Sequence, residues 1–120
     1  MPLADALAEL EAHHSAQITA WRVVPARAPS LAPAPDRLAA PLIEGLRRRG
    51  VQGLYQHQAE AIEATLVGDN VCIVTPTASG KTLCYVLPTL QALLADPSAR
   101  ALYLFPTKAL AQDQVVELGR

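Results

Sequence analysis

Hydrophobic residues recur at helical spacing in five separate stretches of this chain. Leu3, Leu7 and Leu10 lie on one face of an amphipathic helix predicted between residues 3 and 17. Asp36 is the expected N-cap of a second helix and Gly50 its stop, because a short polar side chain caps free N–H groups and glycine readily ends helices. The same periodicity predicts three further helices, at about 59–66, 81–95 and 107–118.

Two short apolar runs between those helices have a different composition. VCIVT (71–75) and ALYLF (101–105) are rich in β-branched, leucine and aromatic residues, which is typical of buried strands. The second half of the chain therefore alternates strand, helix, strand, helix. This order predicts an α/β fold with a parallel sheet and right-handed crossovers.

The segment from residue 25 to 35 separates the first two predicted helices. It contains four prolines in PARAPSLAPAP. Proline has no backbone N–H and a fixed φ, so the segment is expected to be a connector without regular hydrogen-bonded structure.

Composition and charge narrow the class of protein. The chain has 120 residues, of which 51% are hydrophobic and 18% charged, so it is globular and long enough for one core. Its formal net charge is −1, so the chain lacks the strong basic excess of proteins that bind nucleic acid through their overall charge. Any contact with nucleic acid must therefore come from a local group of residues. Cys72 and Cys84 lie in apolar runs with no zinc-site spacing, so we expect reduced core residues.

The N-terminus gives the expected location. It carries acidic residues where a signal peptide would have basic ones, and no apolar run approaches the roughly 20 residues needed to span a bilayer. We therefore expect a cytoplasmic protein.

The stretch 75-TPTASGKT-82 carries the most specific chemistry. It joins a predicted strand to a predicted helix, so backbone N–H groups and the positive helix end converge where a phosphate would bind. Lys81 is the candidate contact to the β- and γ-phosphates of a nucleotide, and the Thr82 hydroxyl is a candidate ligand of Mg²⁺. The binding loop is expected to run from Thr77 through Ala78, Ser79 and Gly80, whose small size lets the backbone approach the phosphate oxygens.

Thr75 occupies the position of the first glycine in the pattern GxxxxGK[ST]. With this substitution, TPTASGKT resembles motif I of the superfamily 2 helicases, in which a small non-glycine residue often opens the motif. LYQHQAEAI (54–62) resembles the Q motif of the same family, with Gln58 in the position that hydrogen-bonds adenine and Tyr55 near the base. FPTKALAQDQV (105–115) resembles motif Ia, which implies that Thr107 and Lys108 hold a nucleic-acid phosphate.

The resemblance covers about residues 50 to 118 and, within the superfamily, is strongest to the RecQ branch. Its nearest members are bacterial repair helicases with a cysteine-rich, zinc-binding C-terminal domain. It implies a helical, proline-containing lead-in at residues 1–50. Residues 51–120 would then form the first part of an incomplete RecA-like ATP-binding domain, a parallel sheet with flanking helices.

The family's DExH or DEAD carboxylate motif and second RecA-like domain do not occur in these 120 residues. The expected function is therefore the N-terminal part of an ATP-dependent helicase or translocase. It would bind ATP, Mg²⁺ and nucleic acid, with single-stranded DNA favoured over RNA, and would depend on a C-terminal portion of the same helicase for catalysis. The alternative is a non-enzymatic nucleotide-binding or interaction fragment, and a complete small-molecule kinase lacks room for an acceptor site and lid.

A last expectation concerns folding of the isolated chain. In the resembling family, the strand before the phosphate-binding loop pairs with strands encoded later in the chain. VCIVT and ALYLF would then present apolar edges, which favours aggregation.

Overall fold

The computed structural model describes residues 2–26, 28–76 and 79–119. Most of the secondary-structure elements in the described residues are helices, and the others form one short pair of strands. The elements in chain order are α1 (Leu3–His14), β1 (Leu31–Ala32), α2 (Ala40–Arg48), β2 (Leu54–Tyr55), α3 (Gln56–Leu66), α4 (Thr82–Ala95) and α5 (Lys108–Leu118). The five helices predicted from periodicity are thus confirmed.

Helix α2 begins four residues later than its expected N-cap. Its N-cap is Ala39, and Pro41 lies in its first turn, where proline's missing N–H costs no hydrogen bond. The prediction that Asp36 caps this helix is therefore wrong. The Ala39 N–H is instead satisfied from outside the helix, because it donates to Oε1 of Gln91 on α4 at 2.8 Å. Gly50 follows the helix with φ of +77°, as the stop signal predicted.

The proline-containing connector does contain regular structure, contrary to expectation. Leu31 pairs with Tyr55 and Ala32 with Leu54, so β1 and β2 form an antiparallel two-stranded sheet. The Gln56 N–H extends this contact by donating to the Ser30 carbonyl at 3.0 Å. The pairing is possible because the two strand residues lie between prolines and keep their own N–H groups.

The core lies where α2, β2, α3 and α4 meet. The most deeply buried side chains of this core are Ile62, which is fully buried, and Leu54, which is 1% exposed. The other buried members are Leu38, Leu46 and Leu87. Helix α4 runs without interruption through Pro88, which is itself buried. This core holds α3 against α4, the helices that precede and follow residues 75–82, the candidate phosphate-binding stretch.

The two predicted buried strands are exposed, and the prediction of their burial is wrong. Val74 is 91% exposed in the first run, and Leu102 and Leu104 are 81% and 84% exposed in the second. Within the described part of the chain, the sheet has only the β1–β2 pair, so neither run has a strand partner. The α/β character is retained as helices and extended segments in alternation, whereas the predicted parallel sheet is not formed by these residues.

One of the two cysteines and the whole of the first helix lie outside the core. Cys84 is buried on α4, as predicted, whereas Cys72 is exposed in the first extended run. Both are free thiols.

Helix α1 has no buried residue, and Leu3 on its apolar face is 76% exposed. Among the described helices, none is long and apolar enough to span a membrane.

Candidate nucleotide site

The phosphate-binding stretch lies between the first extended run and the start of α4. Gly80 adopts φ of +76°, a conformation that favours glycine, and Thr82 is the first residue of α4. The loop therefore turns sharply and directs the chain into the helix at the predicted place. Two predicted site residues, Thr77 and Ala78, lie outside the described residues.

The Lys81 ammonium is turned back toward the residues that precede it. Its Nζ donates to the Pro76 carbonyl at 2.7 Å and to the Thr75 carbonyl at 2.9 Å. It also lies 3.1 Å from Oγ1 of Thr75 and 3.3 Å from Oγ of Ser79. The charge is thus solvated by four protein oxygens at the point where the sequence predicted a phosphate.

Gln58 is buried, with 3% of its surface exposed, and both ends of its amide are engaged by backbone. Its Oε1 accepts from the Tyr55 N–H at 2.8 Å, which satisfies a free donor at the start of α3. Its Nε2 donates to the Gly80 carbonyl at 2.7 Å. The amide predicted to recognise adenine therefore joins the first turn of α3 directly to the phosphate-binding loop.

An aromatic pair lies beside this link. Tyr55 is the N-cap of α3 and is 44% exposed, and its ring stacks on the His57 ring with a centroid separation of 5.9 Å and an interplanar angle of 9°. The His57 Nε2 is buried and has no hydrogen-bond partner among the described residues. The sequence motifs assign no role to His57.

The close approach of Gly80 to Gln58 predicts the effect of a single added methyl group. A Cβ built on Gly80 would lie 2.6 Å from Nε2 of Gln58. In Gly80→Ala, this clash adds to the roughly 1–2 kcal/mol that an L-residue loses in the left-handed region. We expect nucleotide affinity in the full-length protein to fall about tenfold or more, as measured by titration with a fluorescent ATP analogue.

Gly45→Ala is the matched control for that substitution. A Cβ at Gly45 meets nothing within 4 Å, and the residue lies inside α2, where alanine is the better helix former. Its affinity should equal that of the wild type. Equal affinities in Gly80→Ala and the wild type would contradict the role given to this close approach.

The motif Ia residues lie at the start of α5. Thr107 is the N-cap, and its Oγ1 accepts from the Leu110 N–H at 3.3 Å, while Lys108 is the first residue of the helix and is exposed. Thr107 and Lys108 thus lie where an extended segment without a strand partner meets a helix. The Tyr85 hydroxyl on α4 donates to Oε1 of Gln114 at 2.7 Å, which connects this helix to the one that follows the phosphate-binding loop.

Burial raises the pKa of the Cys84 thiol above its ordinary value, while a hydrogen bond to its own backbone and the nearby Lys81 charge act in the opposite direction. The thiol, in the first turn of α4, is therefore protonated and weakly nucleophilic at neutral pH. No group of three or more histidine, cysteine or acidic side chains that could hold a metal occurs in the described ranges. The Thr82 hydroxyl at the start of α4 remains the predicted Mg²⁺ ligand.

Comparisons with known proteins place these features in a family. Residues 55–120 match the family model of the DEAD/DEAH box helicases. The chain is 42% identical over 117 residues to the ATP-dependent helicase YprA of Bacillus subtilis, covering 98% of this chain and 15% of the relative. It is 40% identical over 101 residues to the ATP-dependent helicase HRQ1 of Saccharomyces cerevisiae, covering 84% of this chain and 9% of the relative.

Solved structures show the same likeness in three dimensions. The DUF1998 helicase MrfA, crystallised with DNA and AMPPNP, superposes with a TM-score of 0.79 at 40% identity, covering 99% of this chain and 16% of that one. The chain thus spans about one sixth or less of the length of the proteins it matches. The predicted helicase resemblance is confirmed, and the chain belongs to the DEAD/DEAH box helicase family.

Proposed function

We propose that this chain is the N-terminal part of an ATP-dependent DNA helicase or translocase, and that it supplies the adenine and phosphate contacts of the ATP site. The observation that carries the proposal is the 2.7 Å hydrogen bond from Nε2 of Gln58 to the Gly80 carbonyl. This bond brings the candidate adenine contact and the candidate phosphate contact into one continuous site. The two residues lie 22 positions apart in the chain, so only the fold makes them neighbours.

In this proposal, the triphosphate is bound by the stretch from Thr77 to Thr82. The Lys81 ammonium neutralises the β- and γ-phosphates, and the Thr82 hydroxyl, at the positive end of α4, contributes to Mg²⁺ coordination. Mg²⁺ supplies charge neutralisation between the phosphates. Tyr55 is exposed beside Gln58, where its ring can stack on the base. MrfA, a structural relative with a TM-score of 0.79, was crystallised with AMPPNP, and this supports nucleotide binding as part of the proposal.

The proposed nucleic-acid contact is at the start of α5. The Thr107 hydroxyl, the Lys108 ammonium and the free N–H groups of a helix N-terminus are the groups that hold a phosphate without reading bases. The net charge of −1 requires such a local contact. Both MrfA crystal structures with DNA support DNA as the partner, and we propose single-stranded DNA and a cytoplasmic setting, with a role in DNA repair.

Residues 1–50 are proposed as a lead-in and residues 51–120 as the first part of a RecA-like domain. Coupling of hydrolysis to movement would then require the remainder of such a helicase, which brings the catalytic carboxylates and a second RecA-like domain. The matched relatives are six or more times longer than this chain, which supports that division of labour.

The test is binding of fluorescent ATP and GTP analogues to the full-length protein, with and without Mg²⁺. We expect the wild type to prefer ATP and Gln58→Ala to lose the preference and bind ATP about tenfold or more weakly, because its loss leaves backbone groups without partners. Gln56→Ala is the control, since this exposed side chain lies in the same turn and donates to the exposed Glu60 carboxylate. Equal weakening for ATP and GTP would contradict adenine recognition by Gln58, and no saturable binding would contradict the nucleotide site.

A further inference from the structure

Thr75 brings a hydroxyl group to the position where the phosphate-binding pattern has its first glycine. Its Oγ1 lies 2.6 Å from Oγ of Ser79 and 3.1 Å from Nζ of Lys81. The Lys81 Nζ lies in turn 3.3 Å from the same Ser79 hydroxyl. The three side chains are thus in mutual contact, an arrangement that a glycine at position 75 could not form.

The Lys81 ammonium has three N–H bonds and four oxygens within hydrogen-bond distance. Two of these are the carbonyls of Thr75 and Pro76, and two are the hydroxyls of Thr75 and Ser79. Each donor is therefore directed at protein, and Ser79 and Lys81 are held toward the residues before the loop. A phosphate that binds Lys81 must displace at least one of these contacts.

We propose that Thr75 is a positioning residue that holds Lys81 and Ser79 in this self-bound arrangement and so lowers the affinity of the site for triphosphate. The inference rests on the proposed function, because it concerns the same ATP site. The two side chains have opposite effects on phosphate affinity: Lys81 raises it, whereas the Thr75 hydroxyl lowers it.

The physical basis is a pre-equilibrium. When the arrangement that binds ligand is only a fraction of the population, the apparent dissociation constant rises by the inverse of that fraction. A hydrogen bond to a charged donor is stronger than a neutral one, and the Thr75 hydroxyl makes one such bond to Lys81 and a short bond to Ser79. Removing the hydroxyl should therefore tighten triphosphate binding by about 3- to 30-fold.

The experiment measures dissociation constants of the full-length protein for a fluorescent ATP analogue, for inorganic tripolyphosphate and for adenosine. Thr75→Val removes the hydroxyl and keeps the β-branched shape, and Thr75→Ser restores the hydroxyl. Ser79→Ala removes the other hydroxyl of the group. Thr89→Val is the matched control, because the Thr89 hydroxyl bonds the Tyr85 carbonyl within α4.

We expect Thr75→Val and Ser79→Ala to bind the ATP analogue and tripolyphosphate more tightly, with adenosine unchanged, and Thr75→Ser and Thr89→Val to match the wild type. A general change in folding would move adenosine affinity as well, so selective tightening for phosphate supports the inference. If Thr75→Val bound tripolyphosphate no more tightly than the wild type, or if its affinity for adenosine rose by the same factor, the role given to Thr75 would be overturned while the proposed ATP site would stand. Absence of saturable ATP binding in the wild type would overturn the proposed function and this inference together.

Discussion

Lys81→Ala in the full-length protein is expected to lower the rate of ATP hydrolysis about 100-fold or more while leaving the fold intact. The ammonium is the only side-chain cation among the described residues of the phosphate-binding stretch. Four oxygens of that stretch lie within hydrogen-bond distance of its Nζ, so the charge lies among the residues proposed to surround the phosphates. Alanine leaves the developing phosphate charge without this partner. The measurement is steady-state phosphate release with saturating Mg²⁺ and ATP, in the presence and absence of single-stranded DNA.

Two readouts separate a catalytic effect from unfolding. Lys81 is only partly buried and lies outside the core, so the melting temperature of Lys81→Ala should stay close to that of the wild type. Arg48→Ala removes a cation whose side chain is 78% exposed on α2 and should keep wild-type hydrolysis. Hydrolysis by Lys81→Ala at more than about a tenth of the wild-type rate would refute the role given to this lysine.

Ile62→Ala is expected to have the largest effect on stability. Ile62 is fully buried on α3 in the cluster with Leu54 and Leu87, and removing its outer atoms leaves a cavity that typically costs about 2–5 kcal/mol. Amide hydrogen exchange of α3 in the full-length protein should accelerate about 30-fold or more, because the free energy of local opening falls by about 2 kcal/mol or more. Loss of this packing would also move Gln58, one turn earlier on the same helix, away from Gly80.

Val115→Ala is the control for that experiment. It shortens an apolar side chain that is 70% exposed on α5, so it should change exchange of α3 by less than a factor of about 2. If Ile62→Ala left the exchange of α3 as slow as in Val115→Ala, the cluster around Ile62 would not be the core that holds α3 against α4.

Much of the site was legible in the order of residues. The small residues before Lys81 and Thr82, the LYQHQ stretch that contains Gln58, and the Pro-Thr-Lys start of α5 are local patterns. Each depends on backbone geometry over only a few positions. The helices were predictable for the same reason, since side chains three or four positions apart share a face. Helix ends were less so: α2 begins at Ala40, and its N-cap N–H, that of Ala39, donates to Gln91 on another helix.

Burial could not be read from the same patterns. VCIVT and ALYLF have the composition of buried strands, yet a strand is buried only when neighbouring strands cover it, and the described residues place no strand beside either run. Likewise, nothing in PARAPSLAPAP predicts that Leu31 and Ala32 pair with Leu54 and Tyr55, because that pairing depends on where α2 returns the chain.

The sequence by itself determined the helices, the helicase motifs and the candidate site residues, because those depend on spacing along the chain. Only the tertiary structure decided what these residues touch: Gln58 bonds Gly80, Thr75 and Ser79 hold Lys81, and the two apolar runs lie open. The bond from Gln58 to Gly80 joins residues 22 positions apart, and its formation depends on how α3 and α4 pack. That packing is a property of the whole core, which no local pattern contains.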